Sequence, residues 1–341
     1  MAGTATQPET VPESGRWIWS SADIAASDDW IWRLSPQSVD EIHAAVESVK
    51  ATGKKFEDVT REDFPLPSLE AEFADMRHEL HRGRGFCLIK DVPVDGYDDD
   101  DLALIHWGIG AHMGFGLSQS YRGDKIGHVM DMTHTGDTRR PYRSPGALVM
   151  HVDPIDVVAL LCLKKARSGG ESLVASSMAI YNTILAERPD LIEPLMEGYY
   201  YFHAEVEGTG GSPVSDHPVP VFGECDGRIE CMYVPFTITR AIRENVASLT
   251  DKQQEALDYM DEVANRSDIV YEMDLEKGDI QYLNNRLILH GRRDYVDFEK
   301  IEEKRHMLRL WLRMDGWKRL PDIMYSRRAY DDQGGVPVEA A

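Results

Sequence analysis

From Gly83 to about residue 313 the chain consists mostly of short apolar runs cut apart by Gly, Pro, Asp and Asn. Runs that short suit strands rather than helices, and the punctuation between them is that of an antiparallel barrel or sandwich. The first, GRGFCLIKDVPV (83–94), reads as a buried strand launched by glycine and stopped by a proline turn. Further strands are expected over 127–131, 146–152, 157–163, 172–175, 199–204, 230–234, 269–273, 280–283, 286–290 and 306–313. Two helices interrupt them. One covers roughly 176–187 and stops before Pro189; the other begins at Thr250, where the hydroxyl and Gln253 form a capping box, and turns Leu257, Met260 and Val263 inward.

The amino-terminal part has a different character. Residues 1–15, rich in Thr, Pro, Glu and Gly, lack the apolar content to order themselves and are expected to be a disordered tail. Trp17, Trp19, Trp30 and Trp32 are placed to cover an edge of the core. Ser35 caps a helix with Pro36 in its first turn and Val39, Ile42, Val46 and Val49 at helical spacing. A second helix follows Ser68, with Leu69, Phe73, Met76 and Leu80 on one face. No repeat or low-complexity linker divides the chain. The expectation is one elaborated β domain over 16–341, with a helical part at about 16–82 and a core at about 83–320.

Charge and cysteine usage narrow the function. Of 341 residues, 37 are Lys or Arg and 59 are Asp or Glu, a net charge of −22 that repels phosphate backbones and anionic lipid. No apolar run of ~18 residues occurs, and the first residues lack a basic-then-apolar leader. Cys87, Cys162, Cys225 and Cys231 have neither metal-finger nor disulfide-scaffold spacing. A soluble cytoplasmic protein without nucleic-acid or membrane partners is expected. Its oligomeric state is not legible, because no exposed heptad or large apolar stripe stands out.

The stretch HVDPIDVVALLCLKKARSGGES (151–172) carries the chemistry. In an extended segment His151 and Asp153 fall on one face, where an imidazole and a carboxylate are two ligands of a site for a divalent first-row metal. A His-x-Asp pair also arises by chance, so a third ligand must come from elsewhere. His290 ends an apolar strand, a position that suits a hydrogen-bonded structural histidine as readily as a ligand. The strand after it, RHMLRLWLR (305–313), sets Arg305, Met307, Arg309, Trp311 and Arg313 against His306, Leu308, Leu310 and Leu312. Arginines on one face of a buried strand need anionic partners, and a guanidinium fork suits a carboxylate. An edge strand with three solvated arginines is the alternative.

In these three motifs, HVDPIDVVALLCLKKARSGGESLVAS, GDIQYLNNRLILHGR and KRHMLRLWL, the chain resembles the iron(II)/2-oxoglutarate-dependent dioxygenases of the taurine dioxygenase and clavaminate synthase superfamily over roughly residues 80–325. The resemblance implies a mainly β fold with flanking helices around a double-stranded β-helix, a jelly-roll, cupin-like core. It implies that His151, Asp153 and His290 hold Fe(II), leaving sites for 2-oxoglutarate and O2. Arg309 would pair with the distal C5 carboxylate, assisted by Ser172 where many relatives have Thr. Arg305 would lie near the C1 end. The loop DFEKIEEK (297–304) lengthens the interval after His290 and leaves the choice between the two arginines open.

The implied reaction is hydroxylation of an unactivated C–H bond in a small molecule, with 2-oxoglutarate converted to succinate and CO2. Asp153 keeps the carboxylate that halogenating relatives lack. Two alternatives stand beside it: catabolic cleavage of a C–S, C–O or C–N bond by hydroxylation next to the heteroatom, or a metal-binding β-barrel without turnover. Residues 112–143 look like a polar, glycine-rich, lid-like insertion with a local charge of +2 over 121–143. Tyr121, Arg122 and Arg140 there are candidates to meet a carboxylate on the substrate. Tyr233 and Arg240 are further candidates, and Asn284 could either line the pocket or fix a turn.

Overall fold

The computed structural model describes residues 12–136, 141–203, 213–325 and 335–338. Its helices are α1 (Ser21–Ala25), α2 (Pro36–Thr52), α3 (Glu70–Arg82), α4 (Asp99–Met113), α5 (Ser177–Glu187), α6 (Ile192–Glu197), α7 (Pro235–Arg243) and α8 (Asp251–Ala264). The strands begin with β1 (Ile31–Arg33), β2 (Phe86–Lys90), β3 (Phe115–Gly116), β4 (Ile126–Val129) and β5 (Leu148–His151). Then come β6 (Val157–Lys164), β7 (Ser168–Gly169), β8 (Ser172–Ser176), β9 (Phe222–Cys225) and β10 (Arg228–Cys231). The last are β11 (Tyr271–Met273), β12 (Ile280–Asn284), β13 (Ile288–Arg292), β14 (Tyr295–Val296) and β15 (His306–Arg313).

Two sheets dominate the described residues. The larger runs β1-β2-β12-β6-β15-β3, with β4 also on β15; the smaller runs β11-β8-β13-β5. All their pairings are antiparallel except β1 with β2. Sequence alternation places the layers. In β6, Val157, Ala159, Leu161 and Leu163 belong to one core cluster with α2, α3 and α4, while Val158 and Cys162 belong to another, shared with the smaller sheet. In β15, Leu308, Leu310 and Leu312 join the helical layer, and Met307 and Trp311 face the smaller sheet. The result is the jelly-roll core with flanking helices that the resemblance implies. No helix of the described residues is long and apolar enough to cross a membrane.

The capping signals act as expected. Ser35 accepts from Ser38 N, Pro36 opens α2, and Gly53 closes it in the left-handed region (φ 67°). Thr250 and Gln253 form the capping box of α8. Trp19 and Trp30 pack on Phe86 at ring separations of 5.4 and 5.2 Å, closing the core edge beside β2. Of the 1–15 stretch, residues 12–15 are described, and there Glu13 is tied down: its backbone exchanges hydrogen bonds with Asn182, and its carboxylate accepts from Ile229 N.

Two expectations need correcting, and two helices were not expected. The insertion drawn over 112–143 is not lid-like in its first half, because α4 runs to Met113 and β3 and β4 then pair with β15. That segment is sheet edge, recruited because β15 has backbone groups to satisfy beside β6. The strand expected over 199–204 is reduced to single bridges, Tyr199 to Val219 and Phe202 to Val214. Pro213, Pro218 and Pro220 in the partner segment cannot donate to a ladder. Finally, α4 and α7 gave no recognised signal. Helix α4 is buried nearly all round from Leu102 to Met113, so it has no amphipathic period to read.

Candidate active site

Where the two sheets face each other they enclose a cavity of about 700 Å³. Strand β5 ends at His151, which stands directly opposite His290 of β13 in the antiparallel register. Their rings lie 4.3 Å apart. Asp153 follows just past the strand end, where its backbone N–H donates to Asn285 Oδ1 (2.9 Å). One ligand atom from each of His151, Asp153 and His290 lies within 4.8 Å of the others, and all three residues are buried. This is the facial two-histidine, one-carboxylate geometry that suits Fe(II).

Neighbouring groups fix the orientation of two of the three donors, His151 and Asp153. His151 Nδ1 donates to Val149 O (2.8 Å), which sets the tautomer and leaves Nε2 with its lone pair, 4.0 Å from Asp153 Oδ1. His290 Nδ1 is buried without a hydrogen-bond partner. Burial pushes the His290 imidazole down to about 3 and lowers His151 as well. Both rings are therefore neutral, the form that ligates. Burial would raise the Asp153 carboxyl, but the Arg309 guanidinium and the Trp311 indole N–H bring it below the usual carboxylate range. Trp311 Nε1 donates to Asp153 Oδ2 at 2.8 Å, leaving Oδ1 toward the histidines. A buried donor set already in its metal-binding protonation states fits a divalent ion.

The arginines divide along the cavity. Arg309 Nη1 is 3.4 Å from Asp153 Oδ2, and its Nε donates to Gln119 Oε1 (2.8 Å). Its guanidinium lies between the rings of Tyr142 (4.8 Å) and Trp311 (5.0 Å). Arg309 thus belongs to the metal end. Arg305 lies further in, beside Gly170, where a Cβ would come within 3.2 Å of its Nε. Two residues on from Gly170, Ser172 turns its hydroxyl to Gln281 Oε1 (3.0 Å). Of the two arginines between which the sequence leaves the choice open, Arg309 is thus the one beside Asp153, and Arg305 stands with Gly170 and Tyr295. The strand runs toward the metal from 305 to 309, a direction that alternation alone does not give.

Other candidates separate cleanly. Tyr233 lines the cavity. Tyr121 and Arg122 sit on the 120–124 turn, interact with each other (3.2 Å), and do not line it. Asn284 Nδ2 donates to Leu80 O and its Oδ1 accepts from Arg286 N, so it fixes the turn before β13 instead of meeting a ligand. Arg140 lies outside the described residues. Several cavity residues went unrecognised in the sequence. Gln119, Tyr142 and Arg292 line or brace the inner part, and α7 and α8 frame the mouth with Phe236, Arg243 and Asp261. Arg292 was within reach of reasoning: in a strand it must share the face of His290, two residues earlier.

Comparisons with known proteins agree with this geometry. The profile of the family described as taurine catabolism dioxygenase TauD, TfdA family matches residues 48–311. The chain is 30% identical over 329 residues to FR-33289 synthase of Streptomyces rubellomurinus, covering 93% of this chain and 95% of that protein. It is 29% identical over 324 residues to the taurine hydroxylase-like protein SAT17 of Stachybotrys chartarum, covering 89% and 81%. Among solved structures it resembles asparagine oxygenase in complex with Fe(II), 2S,3S-3-hydroxyasparagine and succinate (TM-score 0.69, 14% identity, covering 92% of this chain and 100% of that one). It also resembles the non-heme iron oxygenase OrfP with Fe and alpha-ketoglutaric acid (TM-score 0.63, 13% identity, covering 91% and 100%).

Proposed function

Because the chain belongs to the taurine catabolism dioxygenase TauD, TfdA family, and is thus an iron(II)/2-oxoglutarate-dependent oxygenase, we propose that His151, Asp153 and His290 hold the iron, that Arg305 and Ser172 hold the distal carboxylate of 2-oxoglutarate, and that Arg309 serves the metal end. One observation carries this reading: three buried donors from two strands and a loop converge within 4.8 Å in a cavity where Arg305, among the described residues, has no carboxylate within ion-pair distance. Bound there, iron would couple the oxidation of 2-oxoglutarate by O2 to hydroxylation of an unactivated C–H bond, one oxygen atom going to the substrate and the other to succinate, with CO2 released.

The protein's part is positional. Val149 O and Trp311 Nε1 hold His151 and Asp153 with one donor atom each turned inward. Gln119 accepts from Arg309 Nε and donates to Arg309 O, so the guanidinium cannot swing across the site. Leu160 and Met307 give the chamber apolar walls that keep bulk water from the reacting atoms. The part of the cavity framed by α7 and α8 receives the substrate. There α7 brings Phe236 to 5.6 Å from the His151 ring, and Arg240 follows one turn later.

The substrate is read as a small molecule with an anionic end facing Arg240 and a C–H bond near the His151–His290 pair. The four cysteines, all free and buried, suit an enzyme of a reducing compartment, and the cytoplasm is the proposed location. Nothing in the cavity favours a metal-binding protein without turnover. The test is substrate-stimulated succinate formation over a panel of small carboxylic acids and amines. Stimulation is expected from acids, with Arg240→Leu raising KM for the responding acid while leaving the uncoupled 2-oxoglutarate turnover in place. Stimulation by amines alone, or an unchanged KM, overturns the anionic assignment.

A further inference from the structure

The distal end of the cavity carries more positive charge than one carboxylate anchor requires. Arg292, at the end of β13, is 4% exposed, as is Arg305. Its Nη2 donates to Ser144 O (2.8 Å) and Gly146 O (2.6 Å), while its Nε and Nη1 are buried and unpartnered. Arg305 Nη1 is likewise buried without a partner. Both guanidinium groups stand against the same ring, that of Tyr295, at 4.6 and 5.4 Å. Among the described residues no carboxylate comes within ion-pair distance of either. A buried guanidinium with idle donors is costly, and two side by side are costlier, unless an anion joins them.

Strand geometry says which anion. Arg292 stands opposite Ser172 in the β13–β8 register. It is two residues beyond His290 on the same face, which is about 7 Å along the strand. That offset suits the reach from a metal-chelated keto acid to the carboxylate at the other end of a five-carbon chain. We propose that Arg292 is a second positioning residue for 2-oxoglutarate, closing with Arg305 a two-guanidinium clamp on its distal carboxylate. This rests on the assignment of Arg305 and Ser172 to that end. The clamp selects a dianionic 2-oxo acid over one with an uncharged tail.

The test is anaerobic titration of Fe(II)-loaded protein, read from the visible charge-transfer absorption of the chelated keto acid, with 2-oxoglutarate and with 2-oxopentanoate. The second acid has the same chain and lacks the distal carboxylate. Arg292→Gln is expected to weaken 2-oxoglutarate at least tenfold and to leave 2-oxopentanoate within twofold of the unsubstituted protein. Arg292→Lys should fall between for 2-oxoglutarate; if the Gln variant does not fold, the Lys variant carries the comparison. Equal losses for both acids, or no loss for 2-oxoglutarate, overturn the clamp. Arg305→Gln separates it from the assignment beneath: if that variant binds 2-oxoglutarate normally, the distal end has been misplaced altogether, whatever Arg292 does.

Discussion

The two ends of the cavity are finished to different degrees. At the metal end the protein holds His151 by Val149, Asp153 by Asn285 and Trp311, and Arg309 by Gln119, and leaves Nδ1 of His290 and Nδ2 of Asn285 without a partner. At the distal end Arg292, Arg305 and the Tyr295 hydroxyl include buried polar atoms that the protein leaves unpaired. The first arrangement pre-orients donors before anything binds, so binding costs little rearrangement. The second postpones satisfaction until a carboxylate arrives, so its cost is recovered only in the complex. The contrast explains how one chamber can hold an ion rigidly and yet exchange an organic acid at every turnover.

The largest expected effect comes from the metal end. Asp153→Ala should abolish Fe(II) binding, read by metal content after dialysis, because it leaves two imidazoles beside an unneutralised Arg309. Retention of stoichiometric iron would break the assignment. Next, Arg305→Gln should weaken 2-oxoglutarate by roughly 2–5 kcal/mol in a binding titration while metal content stays unchanged. A loss of metal instead would mean that the two ends are one unit. Trp311→Phe keeps the ring and removes the donor to Asp153, and should lower Fe(II) affinity by about 10- to 100-fold, measured by competition with a chelator. Ser172→Ala should be the mildest, about 1 kcal/mol in 2-oxoglutarate affinity. An effect equal to that of Arg305→Gln would put the hydroxyl, rather than the guanidinium, at the centre of the distal end.

The metal end was legible in the sequence and the distal end only partly, for a physical reason. Metal ligands are fixed in kind by coordination chemistry, so His151, Asp153 and His290 announce themselves through type and order. Arginines are not: Arg292, Arg305 and Arg309 have the same chemistry in three places, and only the direction of β15, its register against β6 and the register of β13 against β8 distinguish them. The short-run pattern from 83 to 313 located most strands to within two residues, since burial on one or both faces writes itself into alternation. It failed over 199–204, where prolines in the partner segment decided the outcome. It was also silent on α4, whose apolar surround erases any period. Tyr121 and Arg122 were attractive as charged loop residues, but β4 beside them is anchored to β15, which turns them away from the chamber.

Strand β15 serves two masters with alternate positions: Leu308, Leu310 and Leu312 seal the helical layer, while Met307, Arg309 and Trp311 equip the chamber. A slip of one position would drive guanidinium groups into hydrocarbon and aim leucines at the iron, so folding and chemistry would fail together. Length variation should therefore be confined to the loop between β14 and β15, residues 297–304, where added or lost residues are absorbed before the frame is set. Relatives of this enzyme can differ freely there, yet a single deletion between 306 and 313 would cost both the barrel and its reaction.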